Sequence, residues 1–211
     1  MNTETKIPNP TIERLAFYSR PLEVLLKGRI PVVSSEKLAG LCSVNPAQVR
    51  KDLAYFGEFG VRGVGYDVRE LLMEIKKILG TDHAWNLCIV GMGNLGKALV
   101  ENENFKSRGY RFLAAFDNSP QRAGERLPCG LIIQSARKIA ELVKALSIEI
   151  GVIATAPRNA QRTADMLTRA GVKAILNFAP TQLRTQDRCA VENVDFTVKL
   201  ENLAYHLAKE E

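Results

Sequence analysis

The 211-residue sequence has little of what would mark a secreted, metal-bound or membrane protein. Its four cysteines, Cys42, Cys88, Cys129 and Cys189, are scattered, with no C-x-x-C and no histidine at ligand spacing. A disulfide framework and a zinc site are therefore excluded, and ordinary buried thiols are expected. No metal site is expected elsewhere either. There is no long apolar run and no signal-like h-region, so the expectation is a soluble protein in the reducing cytoplasm with no membrane partner. Only two histidines occur, His83 and His206, and no Ser/Tyr/Lys set suited to general acid–base work stands beside them.

What is present is a hydrophobic content of 46%, enough for one large or two small cores, and a net charge of +6 with a pI near 9.2. Residues 1–66 carry nine Lys or Arg against six Asp or Glu, a mild basic bias that is compatible with a nucleic-acid partner.

The run Leu87 to Gly96 reads LCIVGMGNLG, a buried-strand pattern that breaks into Gly91, Gly93 and Gly96. This is the dinucleotide fingerprint: one glycine for the tight turn, one for close approach of a pyrophosphate, one for helix–strand packing. Residues 111–116 form a second strand pattern ending at Asp117, roughly 20 positions beyond the last glycine. A carboxylate there can accept from both ribose hydroxyls and repel a 2′-phosphate. The alternative is a glycine-rich turn in some other α/β protein.

Further strands are expected at 130–133, 148–153 and 173–177, alternating with helices near 136–146 and 158–170. Such alternation means a parallel sheet with right-handed crossovers. Ligand-binding loops then lie at the strands' C-terminal ends: Gly91, Met92, Gly93, Asn94, Leu95 and Gly96; Asp117; Thr155, Ala156 and Pro157; and Asn177, Phe178, Ala179 and Pro180.

About 85 residues precede the fingerprint, enough for a small domain. A first helix starts near Pro10, with Leu15, Tyr18, Leu22 and Leu25 at helical spacing and a kink or break at Pro21. A serine ahead of Glu36 caps a short helix with Leu38 and Leu41 facing inward. After a turn at residues 42–45, Pro46 opens a second helix. The spacing fits a helix-turn-helix, with Ser43 where glycine is usual, and equally a plain helical hairpin. On the first reading Gln48, Arg50 and Lys51 project toward groove and phosphates. Residues 57–66 read as a β-hairpin wing with Arg62 near its tip, suited to a narrow minor groove or simply a solvated turn charge. Residues 67–79 form an amphipathic linker helix carrying Val68, Leu71, Leu72, Ile75 and Leu79.

The run RKDLAYFGEFG from Arg50 to Gly60, followed by Gly63-Val64-Gly65-Tyr66, closely resembles the Rex family of bacterial redox-sensing transcriptional repressors. The likeness continues through Val90 to Gly96, Leu176 to Pro180 and Val191 to Phe196, and so spans nearly the whole chain. It implies an N-terminal winged-helix domain with its linker helix (1–80), a Rossmann-like domain with a parallel sheet that binds NAD(H) (81–195), and a C-terminal domain-swapped helix (196–211). In this resemblance Phe196 approaches the nicotinamide of a homodimer partner, and Asp195 makes an interdomain contact with Arg20. The bland alternative packs the apolar stripe Phe196, Leu200, Leu203, Ala204 and Leu207 on its own subunit's sheet. One position departs from the family: Asn102 stands where many members carry a tyrosine. Either an aromatic wall of the pocket is lost, or Asn102 is a surface residue and the local alignment is shifted.

The expected function is a repressor, not an enzyme, that binds double-stranded operator DNA with an inverted repeat and releases it when NADH rather than NAD⁺ is bound. An NAD-dependent dehydrogenase with a helical extension is the alternative, and the lack of an acid–base group counts against it. A CoA- or nucleotide-binding module, the third reading, leaves residues 34–66 unexplained.

Overall fold

A computed structural model describes residues 7–61, 63–185 and 189–209, and the chain divides into two units, Met1–His83 and Ala84–Glu211. The first opens with α1 (Asn9–Lys27), whose Leu15, Tyr18 and Leu22 share one fully buried face. The expected break at Pro21 does not occur. A proline has no N–H for the carbonyl four residues back, that of Phe17; the Cys42 thiol lies 3.8 Å from that oxygen as a weak substitute donor.

The strand β1 (Val32–Val33) and the helices α2 (Ser35–Cys42) and α3 (Pro46–Ala54) follow. Ser34 accepts from the Lys37 N–H at 3.2 Å and Asn45 from the Gln48 N–H at 2.7 Å, so each helix start has a side-chain cap. Ser43 takes the left-handed turn conformation at φ 55. Leu38 is buried, but Leu41 is 53% exposed, against expectation. The buried arc of α2 runs through Leu38, Ala39 and the half-buried Cys42, and Leu41 falls on its outer flank.

The strand β2 (Tyr66–Asp67) pairs antiparallel with β1, and Val61 and Gly65 bridge the turn before it. The wing is thus a short hairpin; Arg62 lies outside the described residues. Asp67 caps α4 (Val68–Ile78), which seals the unit by burying Val68, Leu71, Leu72 and Ile75 in the core that holds Leu15 and Val49.

Asp52, on α3, is fully buried within this unit. It accepts from Arg14 Nε (2.6 Å) and Nη2 (2.7 Å), the Tyr18 hydroxyl (2.7 Å), Gln48 Nε2 (2.8 Å) and the Thr11 hydroxyl (3.2 Å). Burial works to raise the Asp52 pKa, but the hydrogen bonds from Arg14, Tyr18 and Gln48 outweigh it and hold the carboxyl below its usual range. Burial and the bond to Asp52 together push the Tyr18 phenol well above its ordinary value.

The second unit is a six-stranded, fully parallel sheet in the order β5-β4-β3-β6-β7-β8. Its elements are β3 (Trp85–Val90), α5 (Asn94–Val100), α6 (Glu103–Ser107), β4 (Tyr110–Asp117), β5 (Ile133–Ser135), α7 (Ile139–Ala145), β6 (Ile150–Ile153), α8 (Pro157–Ala170), β7 (Ala174–Asn177), β8 (Ala190–Asn193) and α9 (Phe196–Leu207). Side-chain alternation sends Cys88, Val90, Ala114 and Phe116 into one core with α7 and α8, and Leu87, Ile89 and Ala115 into a second on the other face. Gly151 lets α8 approach, because a methyl group there would press on Leu167.

The strand expected at 130–133 is shifted to 133–135. Residues 127–132 instead fold back on themselves, the Leu127 N–H donating to the Leu131 carbonyl at 2.8 Å. The edge strand β8 has no counterpart in the sequence reading, because its side chains are exposed or half-buried and carry no apolar pattern.

Replacing Asp52 by alanine is expected to destabilise the protein by about 3–5 kcal/mol, since Arg14 would be left without its counter-charge. The folded carboxyl titrates below the unfolded one, so its stabilisation is complete above about pH 4 and is lost as the pH falls through the folded value. Denaturant titrations should therefore show the gap between wild type and Asp52→Asn narrowing as the medium is acidified.

Candidate functional site

The strand order places a topological switch point between β3 and β6: the chain proceeds outward from β3 through β4 and β5, then returns to run through β6, β7 and β8 on the other side. Ligands of open parallel sheets bind outside the strands' carboxyl ends at such a point. The predicted segments follow β3, β4, β6 and β7 at that edge.

The three glycines have separable reasons. Gly91 has φ 101, and a Cβ on it would lie 2.6 Å from the Ala154 carbonyl oxygen. A Cβ on Gly96 would collide with the Gly91 carbonyl, so the first turn of α5 rests directly on the loop. At Gly93 a Cβ would meet nothing within 4 Å. Backbone is exposed to open space there, beside the exposed Asn94 and Leu95, at the uncapped start of α5. The Met92 side chain is fully buried and its N–H is held by Asp117, so this residue shapes the turn. An open cradle of this kind fits a pyrophosphate.

Asp117 clasps the turn. Its Oδ2 accepts from the Met92 N–H at 2.8 Å and from Arg122 Nη1 at 3.1 Å, and its Oδ1 accepts from the Ser119 N–H at 2.8 Å. Burial, to 8% exposure, favours the neutral acid, yet the two backbone N–H groups and Arg122 prevail and keep the carboxyl below its usual pKa. Arg122 carried no signal in the sequence, because a loop arginine five positions past a strand has no pattern.

After β6, the Thr155 hydroxyl oxygen is buried and has no hydrogen-bond partner among the described residues, so a ligand polar group could pair with it. Ala156 and Pro157 open α8 with no side-chain cap. Asn177 is fully buried, and its amide is consumed internally: Nδ2 faces the carbonyls of Ala179 and Thr181 and Asn193 Oδ1, while Oδ1 accepts from the Ala179 N–H. It shapes the loop that presents Phe178, with Ala179 buried and Pro180 exposed. The Phe178 ring lies 6.3 Å from that of Phe196, centroid to centroid.

Asp195 accepts from the Thr197 and Val198 N–H groups and caps α9. The helix does not pack on its own sheet, since Phe196, Leu200, Leu203 and Leu207 are 59–69% exposed. Asn102 is exposed and caps α6 by accepting from the Asn104 N–H, and α5, about 10 Å long, separates it from the glycine turn. The geometry favours the surface-residue alternative over a lost pocket wall.

In the first unit, α3 exposes Ala47, Arg50, Lys51 and Ala54 along one face. Arg50 donates to the Ser35 hydroxyl at 2.8 Å and lies 3.5 Å from Glu36, yet stays 55% exposed. Gln48 is half-buried, its amide turned inward to Asp52. A groove of about 730 Å³ runs between α3 and the wing, lined by Arg50, Ser34 and Gly57 to Val61 among others. The Arg20 guanidinium lies 5.3 Å over the Phe17 ring.

His83 pairs with Asp82, and His206 stands edge-on to Tyr205. Among the described residues no three His, Cys, Asp or Glu side chains gather to hold a metal ion, and no helix is long and apolar enough to cross a membrane.

The glycine roles predict a contrast. Gly96→Ala is expected to destabilise by about 1–3 kcal/mol, and Gly93→Ala by no more than about 0.5 kcal/mol, as read by thermal unfolding.

Comparison with known proteins agrees with this two-part layout. Residues 6–54 match the family described as "Putative DNA-binding protein N-terminus", and residues 82–181 match "CoA binding domain". The redox-sensing transcriptional repressor Rex of Syntrophobacter fumaroxidans is 54% identical over 96% of this chain and 97% of its own. Rex 1 of Thermotoga maritima is 41% identical over 97% of each. Among solved structures, RSP in complex with beta-NAD⁺ and operator DNA is 37% identical, with a TM-score of 0.92 over 98% of this chain and 94% of that one. RSP in complex with beta-NADH is 35% identical, with a TM-score of 0.86 over 98% and 96%. These relatives are repressors, not enzymes, and with such identity over nearly its full length this chain belongs to the Rex family of redox-sensing transcriptional repressors.

Proposed function

We propose that this protein is a homodimeric repressor of the cytoplasm that binds double-stranded operator DNA and lets go of it when NADH is bound. The observation that carries the reading is the presence in one chain of a capped helix-turn-helix with exposed cations and an open glycine cradle at a sheet's switch point. Residues 1–80 act as the DNA-binding domain, 81–195 as the NAD(H)-binding domain and 196–211 as the dimerisation helix. The titles of the RSP structures, which name beta-NAD⁺, beta-NADH and operator DNA, support it.

On the DNA side, α3 enters the major groove with Arg50 and Lys51 foremost and Gln48 on the flank; Arg62 reaches from the wing toward the minor groove. On the dinucleotide side, the backbone from Gly91 through Asn94, Leu95 and Gly96 receives the pyrophosphate, and Asp117 holds the adenosine ribose. Thr155, Ala156 and Pro157, with the loop from Asn177 through Phe178 and Ala179 to Pro180, border the nicotinamide. The reduced ring is neutral and the oxidised ring is a planar cation, so an apolar wall of Ala156, Pro157 and the partner's Phe196 favours the reduced form.

Release needs only differential binding. If NADH favours the arrangement in which two recognition helices no longer match two half-sites, DNA must weaken NADH binding by the same factor. The exposed leucines of α9 suit burial against a second copy, and Arg20 and Asp195 form an interdomain contact that belongs to one of the two arrangements.

Arg50→Ala and Lys51→Ala are each expected to weaken operator binding while NADH binding persists. A lost base contact costs about 1–3 kcal/mol and changes sequence preference, whereas a lost phosphate contact weakens all sequences and flattens the salt slope. Mobility shifts with operator-like inverted repeats at several salt concentrations separate the two, and normal binding by both variants removes α3 from the interface.

Removal of residues 196–211 should abolish the dimer and the NADH response together. Sedimentation and mobility shifts with NADH and NAD⁺ check this. A truncated monomer that NADH still releases from DNA would break the proposed coupling.

A further inference from the structure

The sequence reading lets Asp117 accept from both ribose hydroxyls and repel a 2′-phosphate by its charge. The structure changes that accounting. A carboxylate has about four acceptor positions, and three are taken: both on Oδ2, by the Met92 N–H and Arg122 Nη1, and one on Oδ1, by the Ser119 N–H. Asp117 therefore has less acceptor capacity left for the two ribose hydroxyls than a free carboxylate would have.

Its charge is also not bare. The Arg122 guanidinium lies 3.1 Å away, and its side chain is 45% exposed against 9% for Asp117. Arg122 forms the outer, more exposed member of the pair. It engages Asp117 through one nitrogen, and a guanidinium has five N–H donors in a planar fork that matches phosphate oxygens. Its loop is fixed in place, the Arg122 N–H donating to the Ser119 carbonyl at 3.1 Å and the Gly124 N–H to that of Ile133 at 2.8 Å.

We propose that Arg122 is the residue that sets this site's choice between NADH and its 2′-phosphorylated counterpart, NADPH. While Asp117 holds it, Arg122 cancels the carboxylate's repulsion and is itself withheld from a phosphate. Discrimination thus depends on the Asp117–Arg122 bond and not on a lone negative charge. The proposal rests on the reading of this site as one for NAD(H).

The two partners then have opposite effects. Arg122→Ala exposes an uncompensated carboxylate, and the ratio of NADPH to NADH dissociation constants should rise about tenfold. Asp117→Asn frees the guanidinium for the 2′-phosphate, and the ratio should fall about tenfold, the usual worth of one charge-assisted bond. In the double variant the fall should vanish, while Arg122→Lys should keep much of the wild-type ratio through its charge. Both cofactors are titrated by calorimetry into the intact dimer, with melting curves to show that each variant folds. The ratio is the readout, because general damage to the pocket weakens both ligands alike.

An unchanged ratio in Arg122→Ala overturns the proposal, as does an equal gain of NADPH binding in Asp117→Asn with and without Arg122. A wild-type protein that binds neither cofactor overturns the NAD(H) reading itself, an outcome distinct from either of these.

Discussion

The C-terminal unit depends on a backbone approach that a side chain would forbid. Gly96 brings the first turn of α5 against the Gly91 carbonyl, while Gly91 lies against the carbonyl of Ala154 in the neighbouring loop. The first contact seats α5 on the loop after β3, and the second joins that loop to the one after β6 at the sheet's switch point, so the crevice and the packing of the sheet edge are set together. The clasp of Asp117 on the Met92 N–H adds β4 to the same junction. A ligand here would meet backbone N–H groups already held in place, which lowers the ordering entropy that binding must overcome.

The N-terminal unit has a polar counterpart. Asp52 draws donors from α1 through Thr11, Arg14 and Tyr18, and from its own helix through Gln48. A buried carboxylate is unfavourable unless its acceptor positions are filled, and here they are. The apolar contacts of Leu15, Tyr18 and Val49 permit some sliding of α3 on α1; a directional network does not. The exposed face of α3 is thus held at a fixed angle to α1 by residues that lie behind it.

The helix α9 shows a third constraint, an apolar stripe that the described residues of its own unit leave mostly exposed. Its N-terminus is secured by the Asp195 cap and its first aromatic residue lies near Phe178, while the leucines beyond remain exposed. A helix so placed joins the Phe178 loop beside the cradle to whatever covers the stripe. One element that serves both ends is the simplest physical route by which a small ligand could influence pairing between protomers, and hence the spacing of two recognition helices.

Much of this was legible in the sequence because the signals are local. Hydrophobic runs ending in glycine or Asp117, Ser34 and Asn45 ahead of helices, and strand–helix alternation each act within a few residues, so they fixed the elements and the edge of the sheet that holds the site. The misreadings have physical explanations too: the Phe17 carbonyl that Pro21 leaves without its helical donor faces the Cys42 thiol from α2, and β8 escaped notice because an edge strand needs no apolar alternation. What the tertiary structure alone decided is how many partners each polar group has. Asp52, which carried no signal of its own in the sequence, is a buried hub; Gln48 and Asn177 looked ready for ligands and are turned toward their own fold; Asp117 looked like a free acceptor and already holds three donors. Residue type and spacing determine what a side chain can do, but the donors that reach it come from segments distant in sequence, and only the folded chain brings them within hydrogen-bond distance.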